Sequence, residues 1–260
     1  MVSRLIGFIC ILLLFICESC NSSKKITYFE NVADDEFKST LGVTEAPIQK
    51  NDILTINISS LNAEASAVFN PSSNAITKIA GAGGADVNAG GYLVNADGNI
   101  QLPIIGTLKA EGLTKKELKE QITNIILSKK LLIDPIVDIR YVNFEVTVIG
   151  EVAKPTVITV PNEKISLIKA LGLAGDLTIY GKRENVLLIR EENGKKITRH
   201  INLNSSDFLN SPYYYLQPND VVYVEPNKTK VAAASRSQQI VPIILSSLSI
   251  VVVVLTSLIK

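Results

Sequence analysis

The sequence predicts an α+β protein in which two small β-rich domains lie between an N-terminal lipoprotein signal and a C-terminal transmembrane helix. Three observations carry this prediction. The mean hydropathy of +0.26 is high, and the apolar residues that raise it concentrate at the two ends of the 260-residue chain. Between the ends, β-branched residues alternate with polar ones in short runs, as they do in strands. Two capped helical segments interrupt those runs, an order typical of small α+β domains.

The first 19 residues are predicted to be a signal peptide. Arg4 supplies a positive start, and the apolar run 5–16 is too short to cross a bilayer. The pair Ser19-Cys20 after this run resembles the bacterial lipobox, whose cysteine is acylated, so we expect lipidation of Cys20 and a lipidated arm over 20–47. The alternative is an ordinary secretory peptide whose cysteines are incidental.

The first domain is predicted over 48–143. In chain order it is expected to hold a strand at 53–58, a flexible insertion at 63–91, a hairpin of 92–94 with 100–103, a helix after Thr114 and a strand at 136–141. The helix start is the best-defined feature, because Thr114 and Glu117 have the spacing of a capping box.

The second domain is predicted over 144–226. Its expected elements are strands at 146–152 and 157–160, a helix capped by Ser166 and ended by Gly175, a hairpin of 186–190 with 196–203, and a strand at 221–224. A strand pair, a helix and a second strand pair are the order of a β-grasp fold.

The C-terminal segment 240–259 carries no charged residue and is long enough to cross a hydrocarbon core of roughly 30 Å as a helix. A linker over 227–239 precedes it. Five polar residues fall on one side of that helix and are the candidates for a pore-facing side: Gln239, Ser246, Ser249, Thr256 and Ser257.

Two interpretations of this polar stripe stay open. In the first, the helix self-associates in a ring, with its hydroxyl groups toward a wet lumen and residues such as Ile243, Ile250 and Val254 toward lipid. In the second, the helix is a single tail anchor whose hydroxyl groups bond to its own backbone or pack against one neighbour.

Composition excludes several classes of protein. With 26 Lys and Arg against 25 Asp and Glu, the net charge of +1 argues against nucleic-acid binding. The cysteines, at positions 10, 17 and 20, lie in the signal region, and His200 is the single histidine. These counts exclude a zinc site of His and Cys and a disulfide framework. No pair of acids marks a catalytic site, so we expect no enzyme, no metal and no cofactor.

Several motifs resemble, in order, the outer-membrane polysaccharide export family. The segments 48–54 and 94–106, with Gly112-Leu113-Thr114 and Asp134-Pro135, are similar to its polysaccharide biosynthesis/export domain. The segments 148–155, 174–176 and 216–221 are similar to its soluble-ligand-binding β-grasp (SLBB) domain. Asn51 and Asn219 stand where that family usually has glycine, a mild change because asparagine tolerates a positive φ.

The resemblance implies a lipid-anchored outer-membrane protein whose main body is periplasmic. It implies a homo-oligomeric ring that contacts outer-membrane lipid, passes a capsular or extracellular polysaccharide, and receives the polymer from an inner-membrane polysaccharide copolymerase. A conduit of this kind needs weak, repeated contacts, and the absence of tryptophan suits it better than a high-affinity lectin.

Other interpretations compete with the channel. A monomeric tail-anchored lipoprotein with an accessory structural or sugar-binding role is one, and a soluble sugar-binding module is another. An enzyme acting on polysaccharide would need groups that are missing. The aromatic run Tyr213–Tyr215 is predicted to pack on neighbouring residues rather than to form a sugar platform, and His200 is predicted to be a surface strand residue. The aspartates at turns (Asp52, Asp97, Asp134 and Asp220) are expected to bond to nearby backbone.

Overall fold

The computed structural model describes residues 27–29, 45–70, 79–80, 86–87, 90–192 and 194–233, and within the C-terminal segment residues 240, 243–244, 246–247, 249–251, 253–254 and 257. The described strands form four sheets, and two separate hydrophobic cores lie in the two predicted domains. The signal peptide and Cys20 lie outside the described residues, as do Gln239 and Thr256.

The first domain contains the elements β1 (Ile53–Ser59), α1 (Ala63–Ala67), β2 (Ile79–Ala80), β3 (Asp86–Val87), β4 (Tyr92–Leu93), β5 (Asn99–Leu102), β6 (Gly106–Lys109), α2 (Lys115–Ser128) and β7 (Ile136–Tyr141). The central strand β1 pairs antiparallel with β4 on one side and β7 on the other. Leu54, Ile56 and Ile58 point into the core while the residues between them are exposed. This alternation is what the sequence predicted for a half-buried strand.

Helix α2 begins where the capping box predicted. The backbone N–H of Glu117 donates to Thr114 Oγ1 at 3.2 Å, and the backbone N–H of Thr114 donates to Glu117 Oε2 at 2.7 Å. Leu118, Ile122 and Ile126 lie on one face and are fully buried against the sheet core. The predicted amphipathic helix is therefore confirmed.

The second domain contains β8 (Glu145–Gly150), β9 (Thr156–Thr159), α3 (Leu167–Leu173), β10 (Gly181–Glu192), β11 (Lys195–Ile201), a 3₁₀ helix (Ser206–Asn210), β12 (Val221–Pro226) and α4 (Lys228–Ala233). Its five-stranded sheet has the order β11-β10-β12-β8-β9. Only β12 and β8 are parallel, and the other neighbours are antiparallel. Two hairpins flanking a parallel central pair give the predicted β-grasp order.

Helix α3 covers one face of this sheet. Ser166 caps it by accepting the backbone N–H of Lys169, and the inward residues Leu167, Ala170, Leu171 and Ala174 are buried. Gly175, at φ +79°, ends the helical segment in a conformation that glycine adopts without strain. The cap, the buried face and the stop all agree with the sequence prediction.

The predicted hairpin of 92–94 with 100–103 is wrong in its pairing. Residue Asn95 does form the turn, since its Oδ1 accepts the backbone N–H groups of Asp97 and Asn99. However, β4 pairs with β1, and β5 pairs with β6. The two strands flanking a local turn signal thus find partners elsewhere, because pairing depends on burial as well as on the turn.

The predicted flexible insertion 63–91 begins with ordered structure. Asn62 caps α1, and Phe69, only 4% exposed, packs into the first core. The Asn70 side chain then bonds to both backbone groups of Ile58. A single aromatic anchor and one amide therefore attach this part of the segment to β1. Residues 71–78, 81–85 and 88–89 lie outside the described residues.

Among the residues placed by the structure, no helix combines the length and apolar character that crossing a bilayer requires. The described residues of 240–257 are helical and exposed. The remaining residues of the predicted transmembrane segment lie outside the described part of the chain, so the helix over 240–259 stays a prediction.

Candidate functional site at the domain junction

One turn occurs twice in the chain, before the first strand of the first domain and before the last strand of the second. Residues 49–52 read Gln-Lys-Asn-Asp, and residues 217–220 read Gln-Pro-Asn-Asp. In both, the glutamine backbone N–H donates to the aspartate Oδ2 at 2.7 Å. The two turns therefore share one hydrogen-bonded geometry.

The asparagine before each aspartate adopts the left-handed conformation. Asn51 has φ +68° and Asn219 has φ +65°. Asparagine tolerates this region better than other non-glycine residues. The positive φ expected at both asparagines is confirmed, and so is the expected backbone bonding of Asp52 and Asp220.

The aspartates of the two turns differ in their partners. Asp220 is 0% exposed, and Arg190 holds it through two bonds, Nε to Oδ1 at 2.9 Å and Nη2 to Oδ2 at 2.7 Å. Asp52 is 1% exposed, and its Oδ1 has no hydrogen-bond partner among the described residues. One turn thus buries a paired carboxylate, and the other buries a carboxylate without a cation.

This difference governs the protonation of Asp52. Burial raises its pKa to about 6, and the Gln49 N–H and the nearby Asn219 side chain oppose that rise without cancelling it. Burial also raises the pKa of Asp220, but the Arg190 guanidinium opposes it with a full charge. Asp52 therefore has no counter-ion to offset its burial, whereas Asp220 has one.

Glu163 of the second domain joins the two domains. Its Oε1 accepts the backbone N–H of Tyr141 in β7 at 2.7 Å, and its Oε2 pairs with the ammonium of Lys115 at the start of α2. Lys115 also lies 5.6 Å from the centroid of the Tyr141 ring. A second link is the bond from Gln49 Nε2 to the Glu191 carbonyl at 2.8 Å. These contacts fix the orientation of the two sheets at the junction.

Two cavities open at this junction. One, of about 320 Å³, is lined from the first domain by Glu45, Lys115 and Tyr141, and from the second by Glu163, Tyr215 and Gln217, among others. The other has a volume of about 440 Å³. Residues 47–50 and 111–112 line it from the first domain, and residues 191 and 194 line it from the second. Both volumes fall at the lower end of the usual range for small-molecule sites, roughly 300–1,000 Å³.

The aromatic run Tyr213–Tyr215 lies in the loop before β12 and is half-buried. Tyr214 packs 5.4 Å from Phe208 and 4.9 Å from Tyr215, measured between ring centroids. Packing is thus the main role of Tyr214, as predicted. Tyr215, by contrast, also lines the smaller junction cavity.

The remaining predicted residues lie apart from the junction. His200 is exposed on β11, as expected. The Asn95 side chain stabilises the turn at Asp97, and the expected side-chain bond of Asp97 is not found within the described residues. Asp134 has a positive φ of 47° and makes no side-chain hydrogen bond within the described residues.

The hydroxyl groups of the C-terminal segment bond to their own helix. Ser246 Oγ donates to the Ile243 carbonyl at 3.0 Å, and Ser249 Oγ donates to the Ser246 carbonyl at 2.7 Å. Ser257 is exposed. The aliphatic residues Ile243, Ile250 and Val254 are each more than half exposed in the single chain. The pore-facing assignment of this stripe stays a prediction.

Sequence reasoning missed the junction. Lys115 and Glu163 lie 48 residues apart, and neither stands in a motif of its own. The repeated Gln-x-Asn-Asp turn was a signal that could have found it, because each copy starts a strand at the point where the two domains meet.

Comparison with known proteins agrees with this two-domain organisation. Residues 43–142 match the family described as polysaccharide biosynthesis/export protein, and residues 145–224 match the SLBB domain. The two matches follow each other with only a two-residue gap.

Two curated relatives are both named EPS I polysaccharide export outer membrane protein EpsA. The one from Ralstonia solanacearum is 28% identical over 145 residues, covering 54% of this chain and 37% of the relative. The one from Ralstonia nicotianae is 30% identical over 151 residues, covering 56% of this chain and 38% of the relative. This chain thus covers less than two fifths of the curated relatives it matches. The chain therefore carries a polysaccharide biosynthesis/export domain over residues 43–142, followed directly by an SLBB domain over residues 145–224.

Proposed function

We propose that this chain is a subunit of an outer-membrane channel that exports capsular or extracellular polysaccharide across the cell envelope. The observation that carries the proposal is the pair of adjacent domains, an export domain followed by an SLBB domain, held together at a bonded junction. The relatives that share these domains are named for polysaccharide export at the outer membrane.

In this proposal the body of the protein is periplasmic and anchored by a lipid on Cys20. The C-terminal segments of several copies would form the passage, with the stripe of Ser246, Ser249 and Ser257 inside and the aliphatic side chains in lipid. The exposure of Ile243, Ile250 and Val254 in the single chain supports an environment that covers them. The protein would act without catalysis, take polymer from an inner-membrane polysaccharide copolymerase, and bind no nucleic acid.

The experiment that tests export is a deletion of the gene in a host that makes a surface polysaccharide. We expect surface polysaccharide to fall at least tenfold while polymer accumulates inside the envelope, and the full chain to restore it. Unchanged surface polysaccharide in the deletion strain would contradict the proposal.

A second candidate is a monomeric tail-anchored lipoprotein with an accessory role. The bonds from Ser246 and Ser249 to carbonyls of their own helix favour it, because hydroxyl groups satisfied in this way do not require a wet lumen. Native mass in detergent distinguishes the two candidates.

A further inference from the structure

One end of the second domain carries a group of exposed apolar side chains. This end consists of the segments 151–154, 173–180 and 227–231, and we call it the α4 end. Four large apolar residues are well exposed there: Leu173 (56%), Ile179 (64%), Tyr180 (38%) and Val231 (59%). Apolar side chains grouped on a surface mark a place that another molecule covers.

Hydrogen bonds join the three segments into one surface. The backbone N–H of Asn227, just before α4, donates to the Tyr180 carbonyl at 2.7 Å. The backbone N–H of Lys154 donates to the Ala174 carbonyl at 2.8 Å. This bond places the loop after β8 against the residue that follows Leu173. The four apolar residues therefore lie at one end of the domain rather than on separate faces.

The α4 end lies away from the first domain. Strand β12 begins directly after the junction turn 217–220 and ends at Pro226, just before α4. Its six residues span about 20 Å in an extended strand. The length of β12 therefore separates the α4 end from the junction.

Both predicted membrane anchors leave the molecule at this end. The hydroxyl group of Tyr28, in the N-terminal arm, donates a hydrogen bond to Asp176 of the α4 end. Cys20 precedes Tyr28 by eight positions, and the predicted membrane segment begins seven positions after the last residue of α4. Extended chains of these lengths reach at most about 25–29 Å. A lipid on Cys20 and a membrane segment from residue 240 would therefore hold the α4 end close to a bilayer.

The charges of the α4 end suit a surface of lipid head groups. Its lysines outnumber its acids by three to two: Lys154, Lys228 and Lys230 against Glu151 and Asp176. Glu151 pairs with Lys230, whose ammonium also lies 5.9 Å from the centroid of the Tyr180 ring. Lysine side chains are attracted to anionic lipid. Tyrosine rings favour the boundary between head groups and acyl chains, because one end of the ring is apolar and the other is polar.

We propose that the α4 end contacts the bilayer surface, with Leu173, Ile179 and Tyr180 at the head-group boundary and the lysines against lipid phosphates. The proposal rests on the anchored body of the proposed function and adds to it a direct contact between the second domain and lipid. Few apolar side chains take part, so the contact orients the body while the two anchors supply the attachment. The first domain then lies on the side of the molecule that faces away from the bilayer.

The chain contains no tryptophan, so a single introduced tryptophan reports on its own surroundings alone. The test places Ile179→Trp in the full lipidated chain, reconstituted in vesicles of phosphatidylcholine and phosphatidylglycerol. Fluorescence is compared between vesicles with ordinary acyl chains and vesicles whose acyl chains are brominated close to the head groups. Bromine quenches a tryptophan that it contacts, so we expect brominated lipid to lower the fluorescence of Ile179→Trp at least twofold.

The matched control is Ile133→Trp in the first domain. Ile133 is 79% exposed, against 64% for Ile179. It precedes the start of β7, and the other end of β7, at Tyr141, lies at the junction. We expect brominated lipid to leave the fluorescence of Ile133→Trp unchanged. Equal quenching at the two positions, or no quenching of Ile179→Trp, would overturn the proposal.

A second variant and the emission wavelength complete the test. Leu173→Trp gives an independent measurement if Ile179→Trp lowers the thermal midpoint, and we expect the same quenching from it. A second copy of the chain is the other molecule that could cover this end. It would shift the emission to shorter wavelengths without any quenching by brominated lipid, and that result would overturn the contact with lipid.

Failure of this inference and failure of the export function are distinguishable. If the deletion strain stops exporting but brominated lipid quenches neither Ile179→Trp nor Leu173→Trp, the lipid contact is wrong and the export function stands. If the deletion strain exports normally, the export function is wrong whatever the quenching shows.

Discussion

At the scale of single residues, the two repeated turns show that a cationic partner determines how strongly a buried carboxylate destabilises the fold. Arg190 binds both oxygens of Asp220 and opposes the rise in its pKa that burial causes. Asp52 occupies the same position in the other copy of the turn. Its hydrogen bonds lower its pKa by less than burial raises it. The same motif therefore stabilises the protein differently in its two positions.

Replacing Asp52 by asparagine should increase stability at pH 7. The pKa of Asp52 is about 6 in the fold and about 4 in an unfolded chain. The stability that the protonated carboxyl group gives the fold is therefore fully present below pH 4 and is lost as pH rises through 6. The loss amounts to about 3 kcal/mol. Asp52→Asn should recover about 1–3 kcal/mol at pH 7 and flatten the free energy of unfolding between pH 4 and 6, measured by urea denaturation.

The matched control is Asp220→Asn. This change leaves the Arg190 guanidinium buried without its counter-ion, so the free energy of unfolding at pH 7 should fall by about 3–5 kcal/mol. Destabilisation of similar size by both substitutions would show that Asp52 is not the uncompensated acid described above.

At the scale of elements, local signals predicted the helices well and the strand pairing poorly. Thr114 and Ser166 cap their helices as the sequence indicated, because a cap depends on residues three positions apart. The partner of β4 is β1, about 40 residues away. No turn signal encodes such a pairing, so the hairpin prediction failed there.

Removing the capping hydroxyl of α2 should have a small, defined effect. Thr114→Ala should lower the free energy of unfolding by about 1 kcal/mol, because the N–H of Glu117 loses its acceptor. Thr123→Ala, a threonine within the same helix, should change stability little or raise it slightly. Chemical denaturation of both variants checks this, and equal losses would contradict the capping role.

Truncation of the buried face of α2 should cost more. Ile122→Ala empties a site that is fully buried, and we expect a loss of about 2–5 kcal/mol in urea denaturation. Leu127→Ala changes a residue of the same helix that is half exposed and should cost under about 1 kcal/mol. Similar losses at the two positions would show that α2 does not pack through the face described.

At the scale of the whole molecule, contacts at the junction connect the two domains and their separate hydrophobic cores. Glu163 accepts a hydrogen bond from the backbone of β7 and forms an ion pair with Lys115 of α2. The residues next to Glu163 in the sequence gave no indication of this role. Contacts between residues far apart in sequence depend on how the domains dock, and local periodicity does not report docking. Local patterns therefore predicted the two capped helices and most of the strands, and they did not predict the contacts that Glu163 makes with Tyr141 and Lys115.

Removing Glu163 should loosen that docking. Glu163→Ala leaves the Tyr141 N–H without its acceptor and Lys115 without its partner, so calorimetry should show one unfolding transition in the full chain and two in the variant. Glu120→Ala, an exposed acid on α2, serves as the control and should keep one transition. A single unchanged transition in Glu163→Ala would contradict the junction's role.

The C-terminal stripe belongs to the same scale, because it concerns contacts between copies. Leucine at both Ser246 and Ser249 should reduce the fraction of oligomer in detergent at least threefold, since bulky apolar side chains would face the proposed lumen. Ser247→Leu lies off the stripe and should leave the fraction unchanged. Equal behaviour of the two variants would leave the stripe without a role in assembly.

The most direct test of the channel is the native mass of the full chain extracted in detergent, measured beside a chain that ends after Ala233. The account predicts a ring-sized particle for the full chain and a much smaller one, or a monomer, for the shortened chain. A monomer in both samples would contradict the self-assembled channel and favour the tail-anchored lipoprotein.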